Sequence, residues 1–209
     1  MKNAKTAQFV SAGIQLYPHC GYHGLSEEAV AGHINAGADD FRSAFADKDA
    51  FVKAVLFEYR ERALGRVSFD FSPHLSEIER LRQIIWRLAV SIRSNLPWIH
   101  RMLLDSAAGV VIIRKALKFQ NGLMALGLME IMRNCHGSQE VSDVELLNEY
   151  DFLQGAVFTP MIMNSRYEAF GILSDDIRSK IPDLLTDEAV HQRIDWVFRA
   201  LFPQYSELK

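Results

Sequence analysis

Residues 9–57 read FVSAGIQLYPHCGYHGLSEEAVAGHINAGADDFRSAFADKDAFVKAVLF, and this stretch decides the fold. Its first apolar residues recur at spacings of three and four, the pattern of an amphipathic helix. Gly21-Tyr22 is predicted to end that helix, because glycine readily takes the left-handed conformation that follows a helix. Ser26, with Glu27 and Glu28 in the next turn, then predicts the start of a second, short helix.

A turn at residues 35–37 separates this second helix from a third. The third helix is expected over residues 38–45, with Phe41 and Phe45 facing inward, and Asp47 is expected to start a fourth. Two short helices joined by a turn of a few residues form a helix-turn-helix. The sequence therefore predicts a three-helix head at residues 1–47, followed by a body at residues 48–209.

The body is predicted to be all-α, which gives about nine helices in total. No run of alternating β-branched residues predicts a strand. The fourth helix is expected to run to about Val67, and residues 68–74 to form a linker. Ser76 and Glu79 form a capping-box pattern before a strongly amphipathic fifth helix. One long helix is expected over residues 142–162, kinked at Pro160 because proline removes a backbone donor.

The head resembles the DNA-binding domain of the TetR family of regulators. The residues that carry the resemblance, in order and without a gap, are Phe9, Ala12, Leu16, Tyr17, Gly21, Tyr22, Ser26, Val30, Ala31, Phe41, Phe45, Lys48, Asp49, Ala50 and Phe51. The body resembles the family in its helix layout. The resemblance implies a homodimeric, DNA-binding transcription regulator, a repressor controlled by a small apolar ligand. The positions that it implies for DNA contact are Ser26, Gly37, Arg42, Ser43 and Lys48.

The surface that such a head presents to DNA departs from the family's pattern. Ala38 stands where the family has a lysine, Asp40 where it has a threonine, and Arg42 where it has a phosphate-binding tyrosine. Residues 1–62 carry seven Lys or Arg against eight Asp or Glu, and the whole chain has a net charge of −3. DNA-binding domains usually carry a basic footprint. The alternative function is therefore a TetR-fold protein that binds a lipid or small molecule and has lost operator binding.

The resemblance also implies how the body works. The last two long helices are expected to pair with their copies in a second subunit, although both faces can instead pack inside one monomer. A ligand is expected between the middle helices, against large adaptable side chains with a polar anchor. The predicted ligand residues are Trp86, Trp98, His100, Met102, Phe119, Met124, Phe158 and Met161. The competing interpretation is that these residues are ordinary core. Because no cluster of buried basic residues is evident, the expected ligand is apolar or aromatic.

Other chemistry has little support in the sequence. No nucleophile elbow, zinc-protease motif or glycine-rich phosphate loop is present, so neither catalysis nor a cofactor is predicted. Asp187, His191 and Asp195 lie four residues apart on one helix face, which is more typical of a solvated face than of a metal site. Cys20 and Cys135 match no metal or redox spacing. No signal sequence or membrane span is predicted, and the protein is expected to be cytoplasmic.

Overall fold

A computed structural model describes residues 2–65 and 74–203, and these ranges contain helices and no strand. The helices are α1 (Lys2–Gly24), α2 (Glu27–His33), α3 (Ala38–Ala44), α4 (Lys48–Leu64), α5 (Glu77–Ser94), α6 (Leu96–Ala107), α7 (Val111–Cys135), α8 (Asp143–Val157), α9 (Thr159–Ala169), α10 (Asp175–Arg178), α11 (Ile181–Leu184) and α12 (Asp187–Leu201). The predicted all-α class is confirmed. None of the helices in the described ranges combines the length and the apolar character that a bilayer crossing requires.

The described helices number twelve, where the sequence predicted about nine. The long helix predicted over residues 142–162 is two helices, α8 and α9, which meet at Phe158. Pro160 lies in the first turn of α9, where its missing N–H costs no helical hydrogen bond, so the proline starts a new helix here. The remaining two, α10 and α11, are single turns between α9 and α12.

Side-chain caps fix the helix starts that the sequence predicted. The Ser26 hydroxyl accepts from Ala29 N at 3.1 Å at the start of α2, and the Asp47 carboxylate accepts from Ala50 N at 2.7 Å at the start of α4. The predicted capping box of α5 is present, since Ser76 N donates to the Glu79 carboxylate at 2.8 Å. Helix α4 ends at Leu64. The predicted end of this helix near Val67 and most of the predicted linker lie outside the described residues.

The chain forms two compact units, of which the first contains Met1–Gly65 and Pro97–Phe119. Its core is aromatic. The Phe9 and Phe41 rings lie 5.4 Å apart, and Phe51 contacts both Phe41 at 5.1 Å and Phe45 at 5.0 Å. Helix α1 approaches α4 closely at Gly13, where an added Cβ would lie 2.5 Å from Val55. The predicted inward-facing residues of the head are therefore its core.

The second unit contains Arg66–Leu96 and Gln120–Lys209, and α12 packs against α5, α8 and α11 within it. A polar seam joins α12 to α5. Its contacts are Asp195 with Arg82 at 2.6 Å, Asp187 with Arg93 at 2.5 Å, and His191 stacked on Trp86 at 3.9 Å between ring centroids. The row of Asp187, His191 and Asp195 is therefore an interhelical contact. Within the described residues no three His, Cys, Asp or Glu side chains form a group that could hold a metal ion.

The first unit extends beyond the head predicted at residues 1–47. Helix α4, most of α6 and the first turns of α7 pack with the head, because Tyr59 and Trp98 belong to its core. Trp98 stacks on Tyr17 at 4.4 Å and on Tyr59 at 3.8 Å. A functional boundary at residue 47 stays a prediction.

Candidate nucleic-acid interface

Helices α2 and α3 form a helix-turn-helix on the aromatic core of the first unit. The turn between them includes Asn35, whose φ of 53° is left-handed, and Gly37, the N-cap of α3. Gly37 N donates to the Asp40 carboxylate at 3.3 Å, which closes the first turn of α3. Phe41 faces the core, so Asp39, Asp40 and Arg42 lie on the outer side of the helix. Helix α3 therefore presents a charged face to solvent.

The basic side chains on this face are paired with acids of the same unit. Arg42 pairs with Glu27 of α2 and, at 2.7 Å, with Asp39 of its own helix. Lys5 of α1 lies 2.6 Å from Asp40. The Lys5 ammonium lowers the pKa of Asp40, and the hydrogen bond to Asp39 raises the pKa of Arg42. All three pairs are substantially exposed, so each is worth little to stability and exchanges readily.

Lys48, at the start of α4, is held differently. Its ammonium donates to the backbone carbonyl of His23 at 3.1 Å and lies 4.6 Å from the centre of the Tyr22 ring. The Tyr22 hydroxyl donates to Asp49 at 2.8 Å, and this bond raises the pKa of Tyr22. Since neither partner of Lys48 carries a full negative charge, a phosphate can be added without displacing a carboxylate.

The five residues predicted to contact DNA fall into two groups. Arg42 is an exposed cation on α3 and Lys48 a partly buried one on α4, and both line a cleft of about 100 Å³ that also includes Glu27. Ser26 and Gly37 cap helices, and the Ser43 hydroxyl donates to the Asp39 carbonyl at 2.8 Å. Arg42 and Lys48 thus carry the positive charge of this group of five, whereas Ser26, Gly37 and Ser43 make hydrogen bonds within the helix-turn-helix itself.

Sequence reasoning missed the acid partners of the two cations on α1 and α3. Asp39 and Arg42 are three residues apart on one helix, a spacing that signals an ion pair. Glu27 with Arg42, and Lys5 with Asp40, are distant in sequence and meet only through the fold. No local sequence pattern predicts these two ion pairs.

A buried acid fixes the end of α1 next to this face. Asp105 of α6 is 2% exposed, accepts from Tyr22 N at 2.7 Å and pairs with Arg101 at 2.8 Å. Gly21 makes the contact possible: its φ of 64° turns the chain, and a Cβ there would lie 2.0 Å from the Arg101 side chain. The helix expected to end at Gly21-Tyr22 thus continues to Gly24 with a kink.

The eight predicted ligand residues are divided between the two units. Trp98, His100, Met102 and Phe119 lie in the first unit; Trp86, Met124, Phe158 and Met161 lie in the second. Trp98 and Met102 belong to the core of the first unit, and Trp98 donates from its indole nitrogen to the Ile14 carbonyl at 3.1 Å. Phe158 and Met161 are buried, Trp86 stacks on His191, and Phe119 is exposed. A common pocket for the eight residues stays a prediction.

Solved structures with this fold are found by comparison over nearly the whole chain. A structure from Mesorhizobium loti MAFF303099 assigned to the TetR family of transcriptional regulators has a TM-score of 0.63 and 14% identity, covering 96% of this chain and 98% of that one. One from Shewanella sp. PV-4, also assigned to that family, has a TM-score of 0.60 and 14% identity over 96% and 97%. One from Clostridium perfringens, assigned as a fatty acid metabolism regulator, has a TM-score of 0.60 and 16% identity over 85% and 94%.

The chain therefore has the fold of TetR-family transcription regulators. No protein-family profile and no curated protein sequence matches it.

Proposed function

We propose that this protein is a TetR-type transcription regulator that binds duplex DNA as a homodimer. The observation that carries the proposal is the helix-turn-helix of α2 and α3, which is capped at both helix starts and built on a closed aromatic core. The likeness of the whole chain to solved regulators supports it. In this motif the second helix enters the major groove.

Lys48 is the residue best placed to bind a DNA phosphate. Its ammonium bonds to a carbonyl and an aromatic ring, and a DNA phosphate adds to these partners. Arg42 contributes only after a phosphate takes the place of Glu27 or Asp39, since both acids now accept from its guanidinium. Replacing a carboxylate by a phosphate at Arg42 stabilises the complex with DNA less than a phosphate contact with an unpaired cation does. The protein should therefore bind generic DNA weakly and depend on base contacts for its affinity.

The dimer is proposed to form through α8 and α12. These helices pack against each other in the second unit and carry exposed apolar side chains on their outer faces. Val144 is 69% exposed, Phe152 48% and Trp196 58%. Large exposed apolar side chains on neighbouring helices mark an interface. Gly155, also exposed on α8, permits close approach of a second helix.

Control by a small ligand completes the proposal. A ligand that binds one spacing of the two heads more tightly than the other shifts the population away from the DNA-binding form. The inferred ligand residues are those that the sequence predicted in the body.

The test is selection of duplexes from a random-sequence pool by the purified full-length protein. Because a symmetric dimer carries two heads, the proposal expects enrichment of a sequence with two inverted half-sites. An enriched sequence without two-fold symmetry would argue against the dimer. Failure to enrich any sequence, at low salt and in the absence of added ligand, would overturn the regulator proposal.

A second candidate is a TetR-fold binding protein whose head no longer contacts DNA. The observation that favours it is the pairing of Lys5 with Asp40 and of Arg42 with Glu27 and Asp39, which neutralises cations on the face that would meet phosphate. Failure of the selection, together with small-molecule binding by the same preparation, would establish this alternative.

A further inference from the structure

Arg193 of α12 is a buried cation without an acidic partner in the described part of the chain. The residue is 9% exposed. Its Nη1 donates to the Leu184 carbonyl at 2.9 Å, while Nε and Nη2 are buried and have no hydrogen-bond partner. Burial lowers the pKa of Arg193, and no carboxylate acts against this effect. Buried polar groups are almost always satisfied, so these two donors require an explanation.

Other arginines of the second unit contrast with Arg193. Arg82 and Arg93 of α5 pair with Asp195 and Asp187 across the seam. Arg80, whose Nε also lacks a partner, pairs through Nη1 with Glu77 at 2.9 Å. Within the described ranges, these three arginines of α5 therefore have acidic partners and Arg193 has none.

The two free donors of Arg193 have a specific geometry. Nε–H and Nη2–H lie on the same edge of the planar guanidinium and point in parallel. This edge matches the two oxygens of a carboxylate, which accept one hydrogen bond each. The third group, Nη1, is already occupied by Leu184. What remains is one bidentate acceptor position.

The neighbours of Arg193 on its own helix are apolar. The residues one helical turn away on α12 are Ala189, Val190, Trp196 and Val197, so no acid on its own helix is placed to pair with it. Val190 and Val197 are each 1% exposed. Aliphatic side chains one helical turn away on either side would favour a ligand whose carboxylate is attached to an apolar tail.

The segment that contacts Arg193 buries few side chains. Helix α11, which ends at Leu184, buries only Ile181, and the preceding α10 buries none of its residues. Few buried contacts make a segment cheap to displace. Few buried side chains therefore oppose a displacement of α11, which would release Nη1 from the Leu184 carbonyl.

We propose that Arg193 binds the carboxylate of an organic acid with an apolar tail through the Nε–Nη2 edge of its guanidinium, in a ligand site beside α12. This assignment adds a carboxylate to the expected apolar or aromatic ligand, an expectation that rested on the lack of a cluster of buried basic residues. It rests on the proposed regulator only in naming this acid as an effector, at a site separate from the eight ligand residues predicted from the sequence. Binding itself is measured without DNA, so a failure here and a failure of DNA binding are distinguishable.

The experiment compares decanoate with 1-decanol, which has the same chain length and no charge. Binding to the full-length protein is measured by calorimetric titration, and stabilisation by thermal unfolding. The expected result is that decanoate binds roughly tenfold or more tightly than decanol, because only decanoate satisfies both free donors. Equal binding of the two probes, or no binding of decanoate, would overturn the proposal.

The variant Arg193→Met separates ligand binding from structure. It should lose the preference for decanoate and melt at the same or a higher temperature without ligand, because an apolar side chain of similar length replaces an uncompensated charge. Arg199→Met, an exposed position on the same helix, should behave as the unaltered protein does. If Arg193→Met melts at a lower temperature without ligand, or retains the preference, the guanidinium serves the fold and the assignment is wrong.

Discussion

Oδ1 of Asp40 on α3 lies 2.6 Å from the ammonium of Lys5 on α1, so α3 neutralises a cation on the face that is proposed to meet DNA. The same helix neutralises Arg42 through Asp39, with Glu27 of α2 as the other acceptor. The head thus keeps a helix-turn-helix frame while its acids compete with phosphate for its own basic side chains.

Removing the two acids of α3 should strengthen DNA binding. In the double variant Asp39→Asn, Asp40→Asn, Lys5 and Arg42 lose carboxylate partners and two negative charges leave the face. We expect affinity for a generic duplex to rise about tenfold at low salt, with a steeper dependence on salt because more cations meet phosphate. Fluorescence anisotropy with a labelled duplex measures both quantities.

The control for this variant is Asp176→Asn, which removes an exposed acid of α10 in the second unit. It changes the net charge of the protein without changing the head, and it should leave affinity unaltered. An equal gain from Asp176→Asn would assign the effect to overall charge. No gain from the double variant would mean that these acids do not face DNA.

The start of α2 should depend on Ser26. Its hydroxyl accepts from Ala29 N at 3.1 Å, and Ser26→Ala leaves that amide without its cap. Losing an N-cap costs roughly 1 kcal/mol in the free energy of unfolding. Ser43→Ala is the matched control: its hydroxyl bonds to a carbonyl of its own helix, and its removal should cost less than about 0.5 kcal/mol. Urea unfolding at one fixed protein concentration compares the two. Equal costs would show that the cap at Ser26 adds nothing.

The proposed dimer should depend on Trp196. A glutamate at this position places a charge on the outer face of α12, and an aromatic residue at the centre of an interface typically contributes about 2 kcal/mol or more. We expect Trp196→Glu to be monomeric in sedimentation equilibrium at concentrations where the unaltered protein is dimeric. Ile172→Glu substitutes an equally exposed apolar residue outside α8 and α12 and should leave the dimer intact. Loss of the dimer in Ile172→Glu alone would place the interface elsewhere.

The two cysteines should differ in reactivity and in their response to pH. Burial raises the pKa of the Cys135 thiol to about 12, and it raises the pKa of the half-buried Cys20 less strongly. Because the thiolate is the reactive form, modification of the folded protein by a thiol reagent near pH 8 should occur at Cys20 first. A folded-state pKa above that of the unfolded chain means that Cys135 contributes stability below about pH 9, which is lost as pH rises toward 12. Simultaneous modification of both cysteines in the folded protein would contradict this account.

Local signals in the sequence were sufficient for the frame of the protein. The sequence predicts helix starts at Ser26, at Asp47 and at the pair of Ser76 and Glu79, and the structure contains all three. These starts are predictable because a cap and its partner lie only three residues apart. Such local signals do not predict contacts between residues that are distant in the sequence. The split of one predicted helix at Phe158 came from Pro160 acting as a helix start, where sequence alone suggested a kink.

The candidate site was predicted less completely than the fold. Positions 42 and 48 were identified from the family resemblance, but the pairing of Arg42 with Glu27 depends on the angle between two helices. The sequence indicates a solvated helix face at Asp187, His191 and Asp195. In the structure these residues contact Arg93, Trp86 and Arg82 of α5, respectively. Arg193 carried no signal at all, because an arginine on an amphipathic helix is usually exposed.

The central claim, that the head binds DNA, is tested most directly by anisotropy with the duplex enriched in the selection. The unaltered protein and Lys48→Ala are titrated at about 50 and 200 mM salt. The account predicts a loss of affinity for the unaltered protein between the two salt concentrations, and for Lys48→Ala weaker binding with a salt slope smaller by about 1, as expected when one phosphate contact is lost. Binding that is independent of salt and equal in the two proteins would contradict it.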